Sequence, residues 1–326
     1  ALFAAAYAGI PFIPLNYRLG AEQLQPLVEA NAGAVVVAEV MPVIGADPAM
    51  TVDRRALLDE SFAATSDVEL PAFVDPEDVA VLLYTSGTSG TPKAAILRHR
   101  HLTAYVIGTV EFAGAEPEQA ALVTVPPYHI AGMANLLSNL YAGRRIVYLD
   151  AFDAEVWIDT VRREGVTQAM VVPTMLARVV THLDGRPAEV PTLRTLSYGG
   201  ARMPLPVLEQ ALELFVGTGF VNAYGLTETS STIALLGPDD HAAAFAGDPV
   251  ARVRLGSVGK VLPGIEVEVR EEDGTVLSVG EPGLVFLRGE QVSGEYDAGS
   301  VVDAEGWFPT RDRGWIDEDD YLFIEG

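Results

Sequence analysis

The apolar run 79–83 of this chain is directly followed by Tyr84-Thr85-Ser86-Gly87-Thr88-Ser89-Gly90-Thr91-Pro92-Lys93. The run consists of aliphatic residues and predicts a strand over 79–84. The segment after it contains glycines that permit tight backbone turns, hydroxyl side chains that donate hydrogen bonds, and a cation at Lys93. A loop of this composition at the end of a strand can wrap a polyphosphate.

Two other interpretations of this loop compete with phosphate binding. A flexible Gly/Ser/Thr linker has the same composition, but linkers rarely separate neighbouring elements inside an α/β core. The Walker loop of P-loop NTPases has four residues between its glycines and ends in Gly-Lys-Ser/Thr. Here only two residues separate Gly87 from Gly90, and Lys93 follows a proline. The position therefore favours an anion-binding loop, and the spacing excludes the Walker loop.

Short β-rich runs alternate with helical patterns on both sides of the loop, which is typical of parallel sheets wrapped by helices. The predicted strands are 34–37, 79–84, 121–125, 145–148, 168–172, 195–197 and 219–223. The predicted helices are 101–112, 130–141, 154–164, 173–183 and 204–215, with a weaker one at 22–30 that Pro26 interrupts. We therefore expect an α/β layered region over 1–231 that holds the site.

The pattern changes after Thr232, where we expect helical periodicity to end. Alternating runs at 265–270, 283–288, 307–310, 315–316 and 321–324 predict strands, and Asp273-Gly274 predicts a hairpin turn. The segments 242–248 and 297–300 are expected to be loops. Residues 232–326 are thus predicted to form a smaller, antiparallel and barrel-like β subdomain.

Composition excludes several classes of function. The chain has 326 residues, with 21 Lys and Arg against 45 Asp and Glu, and its formal net charge is −24. Nucleic acid is therefore an unsuitable partner, and any anionic ligand must be held by local groups. The absence of cysteine removes disulfides, thiol catalysis and Cys-bound zinc. The uncharged stretches 1–17 and 119–143 are interrupted by prolines and polar residues, so we expect buried core and not an integral membrane protein.

The loop resembles the signature loop of the adenylate-forming superfamily, which includes acyl-CoA and aryl-CoA synthetases, beetle luciferases and the adenylation domains of nonribosomal peptide synthetases. The usual pattern is Y-T-S-G-T-T-G-x-P-K-G, and this chain departs from it at Ser89 and Ala94. The resemblance implies the family's N-terminal domain, an α/β fold with two helix-flanked, mostly parallel sheets and a smaller antiparallel subdomain. It also implies that the ATP phosphates are bound by the loop residues Thr85, Ser86, Gly87, Thr88, Ser89, Gly90 and Lys93, with Thr85 and Lys93 catalytic.

Three further motifs resemble the same family. Residues 222–228 are Asn-Ala-Tyr-Gly-Leu-Thr-Glu, similar to Y-G-x-T-E. This implies that Tyr224 stacks on adenine, that Thr227 meets the α-phosphate region and that Glu228, a catalytic residue, ligates the Mg²⁺ carried by ATP. Residues 199–201 resemble the G-G-A segment, and 307–314 resemble G-W-x-x-T-G-D-x-G. By this resemblance the nucleotide is also bound by Asn222, Ala223, Gly225, Gly199, Gly200, Ala201 and Asp312, whose carboxylate accepts both ribose hydroxyls.

Arg311 replaces the usual glycine of the third motif, where it could crowd the ribose or add a surface charge. The acid pocket is expected from residues similar to those of the acyl-CoA synthetase branch, namely His129, Val172, Tyr198 and Gly200. Amino-acid-activating members commonly place an aspartate at the position of His129 to pair with the substrate amine. The histidine therefore disfavours amino-acid substrates.

The resemblance implies ATP-dependent activation of a fatty, aryl or similar apolar carboxylic acid to acyl-AMP, followed by thioester formation with coenzyme A. The implied ligands are ATP, Mg²⁺, coenzyme A and the acid, and the expected location is the cytoplasm. Two alternatives stay open: an acyl-AMP ligase that loads a carrier protein, and a catalytically silent nucleotide-binding module. We expect the chain to begin inside the family's N-terminal region and to end before the mobile C-terminal domain, which carries the catalytic lysine for adenylation, so that this fragment alone is impaired.

Overall fold

A computed structural model describes residues 1–39, 43, 45–63, 74–85 and 93–325. Two compact units form along the chain, Ala1–Val74 and Asp75–Gly326. Most of the predicted phosphate loop, with Ser86, Gly87, Thr88, Ser89 and Gly90, lies outside the described residues. The predicted boundary at 231 stays a prediction.

The first unit contains short elements. They are α1 (Leu2–Tyr7), α2 (Ala21–Glu29), β1 (Val36–Ala38), β2 (Thr51–Asp53) and α3 (Arg54–Ala63). Strands β1 and β2 pair in parallel. Helix α2 forms despite Pro26, because it buries Leu27 and Val28 on one face.

The second unit carries the predicted site residues. Its strands are β3 (Val79–Thr85), β4 (Lys93–Arg98), β5 (Ala120–Val123), β6 (Arg145–Tyr148), β7 (Gln168–Val171), β8 (Thr195–Gly199), β9 (Gly219–Leu226), β10 (Ser231–Leu236), β11 (Lys260–Val261), β12 (Glu266–Arg270), β13 (Gly283–Arg288), β14 (Glu295–Tyr296), β15 (Gly299–Ser300), β16 (Phe308–Ile316) and β17 (Leu322–Ile324). Its helices are α4 (His99–Thr109), α5 (Ile130–Tyr141), α6 (Ala154–Arg163), α7 (Pro173–Leu183), α8 (Leu205–Leu214), α9 (Pro238–Phe245) and α10 (Pro249–Arg254).

A seven-stranded sheet in the order β11-β10-β9-β8-β7-β5-β6 forms the centre of this unit. Strands β9, β8, β7, β5 and β6 are parallel, and β10 and β11 extend the sheet in antiparallel fashion. All four residues of β5 are buried, as expected for a strand with covered faces. Helix α6 shows how the sequence produces this packing. Asp153 caps its first turn, while Trp157, Ile158 and Val161 enter the core.

Two four-stranded antiparallel sheets accompany the central one, in the orders β12-β13-β16-β17 and β15-β14-β4-β3. The strand predicted over 79–84 therefore has an antiparallel partner, β4, which the sequence patterns did not predict. Seven residues separate β3 from β4. A parallel pair needs a crossover of about a dozen residues or more, so this connection permits only a hairpin.

The expectation that helices end after Thr232 is wrong, because α9 and α10 cover most of 238–254. Pro238 begins α9, Asp239 and Asp240 lie in its first turn, and three alanines follow, all of which favour a helix start. The expected loop at 297–300 is instead part of the hairpin β14–β15. The strands predicted at 307–310 and 315–316 form one strand, β16. In the described ranges, the helices lack the length and apolar character that crossing a bilayer requires.

Candidate active site

The predicted phosphate loop is held at both ends by the β3–β4 hairpin. Thr85 pairs with Lys93 in the antiparallel register, and the Thr85 hydroxyl donates a hydrogen bond of 3.4 Å to the Lys93 carbonyl. Both residues are half-buried. The departure at Ala94 is accommodated as a buried ladder residue opposite Tyr84. The hairpin thus fixes where the loop leaves and rejoins the sheet.

Strand β4 connects the loop to Glu228. Tyr296 of β14 pairs with Ala95 of β4, and the Tyr296 hydroxyl donates a hydrogen bond to Oε1 of Glu228. The backbone N–H of Ser293 also donates to the Glu228 carbonyl at 2.7 Å. These bonds place the Glu228 carboxylate beside the sheet that carries Thr85 and Lys93.

A second tyrosine and carboxylate meet at the end of β9. The Tyr224 hydroxyl donates a hydrogen bond to Oδ2 of Asp312, although the two residues are 88 positions apart. The Asp312 backbone N–H donates to the Thr310 hydroxyl at 3.1 Å. The predicted adenine-stacking residue and the predicted ribose acceptor therefore lie together, and only four positions separate Tyr224 from Glu228.

Both tyrosines act as neutral hydrogen-bond donors. Burial raises the pKa of Tyr224 well above its usual value, and the charge of Asp312 raises it further. Burial likewise raises the pKa of Tyr296, with additional contributions from its hydrogen bond to Glu228 and from the charge of that residue. Neither hydroxyl ionises near neutral pH, so each one supports a carboxylate without adding negative charge.

The glycine pair at the end of β8 is required by the backbone. A Cβ added to Gly199 would lie 2.1 Å from the Ala223 carbonyl oxygen, and Gly200 has a φ of +80°. A Cβ on Gly200 would contact Cγ1 of Val172 at 3.8 Å, so Gly200 and Val172 are neighbours. The close approach of β8 to β9 explains Gly199 without any ligand.

Several predicted residues meet at one edge of the central sheet. Val172 follows β7, Gly200 follows β8 and Tyr224 lies near the end of β9. His129 lies between β5 and α5, is exposed, and has its ring centroid 4.7 Å from that of Tyr128. Because these strands are parallel, their carboxyl ends share the edge at which α/β sheets generally bind ligands.

Tyr198 lies beneath this edge. Its side chain is 1% exposed, and its hydroxyl lies 2.8 Å from Nε2 of His241. Nδ1 of His241 lies 2.6 Å from the Gly237 carbonyl, which can only accept, so Nε2 accepts the proton of Tyr198. The ring therefore faces the core below Gly199 and Gly200. Its predicted role in acid binding stays a prediction.

The other residues predicted to bind the nucleotide lie on β9 or shortly after β8 and β9. Asn222 and Ala223 lie in β9 with Gly225, and the Asn222 amide donates to the Ser257 carbonyl at 3.2 Å. Ala201 is exposed after β8, and Thr227 begins the 3₁₀ turn Thr227–Thr229 that carries Glu228. The sheet and this turn thus bring all described members of the predicted nucleotide set into the second unit.

Glu228 fits a nucleotide-borne Mg²⁺ better than a protein-borne metal centre. No group of three or more metal-ligating side chains occurs within the described ranges. Mg²⁺ commonly binds through one or two carboxylates together with substrate phosphates and water. Oε1 of Glu228 accepts from Tyr296, and the described residues donate no hydrogen bond to Oε2. That oxygen is available to a cation.

Tyr296 is a functional candidate that the sequence patterns missed. It lies in the two-residue strand β14, next to the segment expected to be a loop. Its contact with Glu228 joins residues 68 positions apart, so no local pattern indicates it.

A cavity of about 390 Å³ lies elsewhere in this unit, between residues that precede β7 and β8, including Thr167 and Arg194. It opens at the amino-terminal ends of these parallel strands. It is therefore on the edge opposite to the predicted site.

Comparisons with known proteins identify the relatives of this chain. A family model described as AMP-binding enzyme matches residues 1–297. A fatty acid–[acyl-carrier-protein] ligase, ScoC, from Streptomyces coeruleorubidus is 31% identical over 99% of this chain and 64% of its own length. A feruloyl-CoA synthase from an Amycolatopsis species is also 31% identical, with the same coverage of 99% and 64%. The chain thus spans slightly less than two thirds of these relatives.

The fold is also found in solved structures. The O-succinylbenzoate coenzyme A synthetase (MenE) from Bacillus subtilis, in complex with ATP and magnesium ion, superposes with a TM-score of 0.82 and 26% identity. The likeness covers 99% of this chain and 66% of that one. The predicted fold class, an α/β architecture of helix-flanked, largely parallel strands with a smaller antiparallel sheet, is confirmed.

Proposed function

Because this chain belongs to the family of AMP-binding enzymes, we propose that it takes part in the ATP-dependent activation of a carboxylic acid. In the first step a carboxylate oxygen attacks the α-phosphorus of ATP, the bond to pyrophosphate breaks, and acyl-AMP forms. In the second step the sulfur of coenzyme A attacks the acyl carbonyl, AMP leaves, and a thioester forms. The observation that carries this proposal is the meeting of Tyr224 with Asp312 beside Glu228.

The nucleotide is proposed to lie across the carboxyl edge of β8 and β9. Tyr224 offers an aromatic face to adenine, and the two oxygens of Asp312 suit the vicinal ribose hydroxyls. The loop residues Ser86, Gly87, Thr88, Ser89 and Gly90, which lie between Thr85 and Lys93 in the sequence, are proposed to bind the phosphates. Gly199 packs so closely against Ala223 that a side chain at this position of β8 has no room.

Positive potential is needed where the anionic carboxylate approaches the anionic phosphate. Lys93 supplies one cation there. Glu228 would hold Mg²⁺, which when bound neutralises phosphate charge and orients the leaving pyrophosphate. Tyr296 keeps the Glu228 carboxylate in place through its hydrogen bond.

The acid is proposed to bind near His129, Val172, Tyr198 and Gly200. The names of the relatives, a fatty acid ligase and a feruloyl-CoA synthase, support a fatty or aryl acid. The exposed imidazole of His129 at the start of α5 supplies no negative charge for a substrate amine, which supports an acid without an amino group.

A carrier-protein thiol is a second candidate acceptor, because one relative is described as an acyl-carrier-protein ligase.

The proposed location is the cytoplasm, where ATP and coenzyme A are both supplied. The charge of −24 supports a protein without a nucleic-acid partner.

The test is acid-dependent ATP–pyrophosphate exchange by the full-length protein over a panel of fatty, aryl and amino acids, with mass-spectrometric detection of acyl-AMP and of the thioester. We expect exchange with fatty or aryl acids and none with amino acids. Thioester on coenzyme A supports the first acceptor, and thioester only on a carrier protein supports the second. Nucleotide binding without exchange for any acid would favour a silent binding module.

A further inference from the structure

Arg311 adopts a backbone conformation that normally belongs to glycine. Its φ is +70°, in the left-handed region that L-residues with a side chain rarely occupy. It lies in β16 at an irregularity of the ladder with β13, where the pairing passes from Leu284↔Arg313 to Phe286↔Pro309. Three residues of β16, 310–312, thus oppose the single residue 285 of β13, so the chain bulges there.

The bulge determines where two neighbouring side chains point. Asp312 bonds to the Tyr224 hydroxyl, and its backbone is fixed by the Thr310 hydroxyl. Arg311 is exposed beside it. The positive charge of Arg311 lowers the pKa of Tyr296. Burial and the contact with Glu228 raise the same pKa by more. Arg311 is therefore directly next in sequence to the predicted ribose acceptor Asp312, and its charge acts on the tyrosine that bonds to Glu228.

The guanidinium of Arg311 has no partner among the described residues, which give it neither an ion pair nor a hydrogen bond. Arg313, two positions further along β16, lies 3.6 Å from a carboxylate oxygen of Glu325. The carboxylates of Asp312 and Glu228 each accept a tyrosine hydroxyl, from Tyr224 and Tyr296 respectively. The chain has 45 acidic residues, and its only two lysines are Lys93 and Lys260. Next to the predicted ribose acceptor, a cation without a partner among the described residues is free to bind an external anion.

We propose that Arg311 binds a phosphate group of the nucleotide, as a cation in addition to Lys93. This inference rests on the proposed function. The planar guanidinium donates two parallel N–H bonds to phosphate oxygens and stays charged at all working pH values. The adenylate-forming pattern has glycine here, so the cation is a feature of this chain.

The test is direct binding of adenosine, AMP and ATP by calorimetry, without acid, to the wild-type protein and to Arg311→Gly, Arg311→Lys and Arg313→Gly. Glycine adopts a φ of +70° without strain, so Arg311→Gly is expected to keep the melting temperature of the wild type. We expect Arg311→Gly to weaken AMP or ATP binding by roughly tenfold or more, and adenosine binding by less than about twofold. Arg311→Lys should recover part of the loss, and Arg313→Gly, with the same charge change, should retain wild-type affinity.

Three results would overturn the inference. The first is equal ATP and AMP affinity in Arg311→Gly and wild type. The second is an equal loss in Arg311→Gly and Arg313→Gly, which indicates a general charge effect. The third is an equal loss of adenosine and ATP, which indicates damage to the adenosine site. If the wild-type protein binds no adenine nucleotide, the proposed function itself fails as well, so the two failures are distinguishable.

Discussion

The hydroxyl of Tyr296 donates a hydrogen bond to the carboxylate of Glu228, and this bond joins β14 to the 3₁₀ turn that follows β9. One carboxylate oxygen accepts this hydrogen bond, while the other accepts none from the part of the chain that the structure describes. A partner of this kind fixes the orientation of a ligand and tunes its affinity for a metal. Tyr296 is thereby a positioning residue for Glu228.

The first prediction concerns the Mg²⁺ requirement. Tyr296→Phe removes the hydroxyl but keeps the ring, so the Mg²⁺ concentration for half-maximal pyrophosphate exchange should rise by roughly tenfold. The rate at saturating Mg²⁺ should change much less. Tyr321→Phe is the matched control, since that hydroxyl bonds to Asp240 at 2.9 Å on another part of the unit. An unchanged Mg²⁺ dependence in Tyr296→Phe would show that the contact does not serve metal binding.

The second prediction concerns the ribose. Asp312→Asn retains the shape of the side chain and loses its charge, so ATP should bind roughly tenfold more weakly, as expected for hydrogen bonds to a charged acceptor. The same substitution should have almost no effect on 2′,3′-dideoxy-ATP, which lacks both hydroxyls. Equal losses for the two nucleotides, measured by calorimetry, would contradict ribose recognition by Asp312.

The third prediction uses two glycines with opposite surroundings. Gly199→Ala forces a Cβ against the Ala223 carbonyl, at 2.1 Å, and should lower the free energy of unfolding by about 1–3 kcal/mol or more. Gly108 of α4 has no atom within 4 Å of an added Cβ. Gly108→Ala should therefore raise the free energy of unfolding by about 0.5–1 kcal/mol, since alanine favours the helix. Urea unfolding of both variants measures these changes. An unchanged free energy of unfolding in Gly199→Ala would refute the close approach of β8 to β9.

The sequence predicted the core elements well because their signals are local. The periodicity over 154–164 matches α6, and the β-rich run at 168–172 matches β7. Strands β4 and β10 escaped prediction because their short runs depend on pairing with β3 and β9. Helix α9 was missed although its start signals, Pro238 and the two aspartates after it, are local. The resemblance of the motifs predicted that Tyr224 and Asp312 share one site. Tyr296 could not be found in this way, since only the fold brings it to Glu228.

The fourth prediction concerns acid sensitivity. His101 is 1% exposed, its Nδ1 accepts the Arg98 backbone N–H at 3.1 Å, and its Nε2 has no partner among the described residues. Burial, together with the charges of Arg100 and Arg98, lowers the pKa of His101 from 6.5 to about 4. Between pH 6.5 and pH 4, His101 binds a proton in the unfolded chain but stays neutral in the folded chain. Stability should therefore fall by about 3 kcal/mol as the pH drops from 6.5 to 4 and change no further through this group.

His101→Gln isolates this effect, because glutamine at the same helix position can accept the Arg98 N–H without titrating. The free energy of unfolding of the wild type, minus that of His101→Gln, should decrease between pH 6.5 and pH 4. A constant difference across this range would show that His101 titrates normally in the folded protein.

The most direct test of acyl-adenylate formation traces one oxygen atom from the acid to AMP. If the carboxylate attacks the α-phosphorus of ATP, an acid labelled with ¹⁸O in its carboxyl group must leave one ¹⁸O in AMP after thioester formation. We predict AMP heavier by one label when the protein turns over a fatty or aryl acid with coenzyme A or a carrier protein. AMP or ADP formed without label would contradict acyl-adenylate formation.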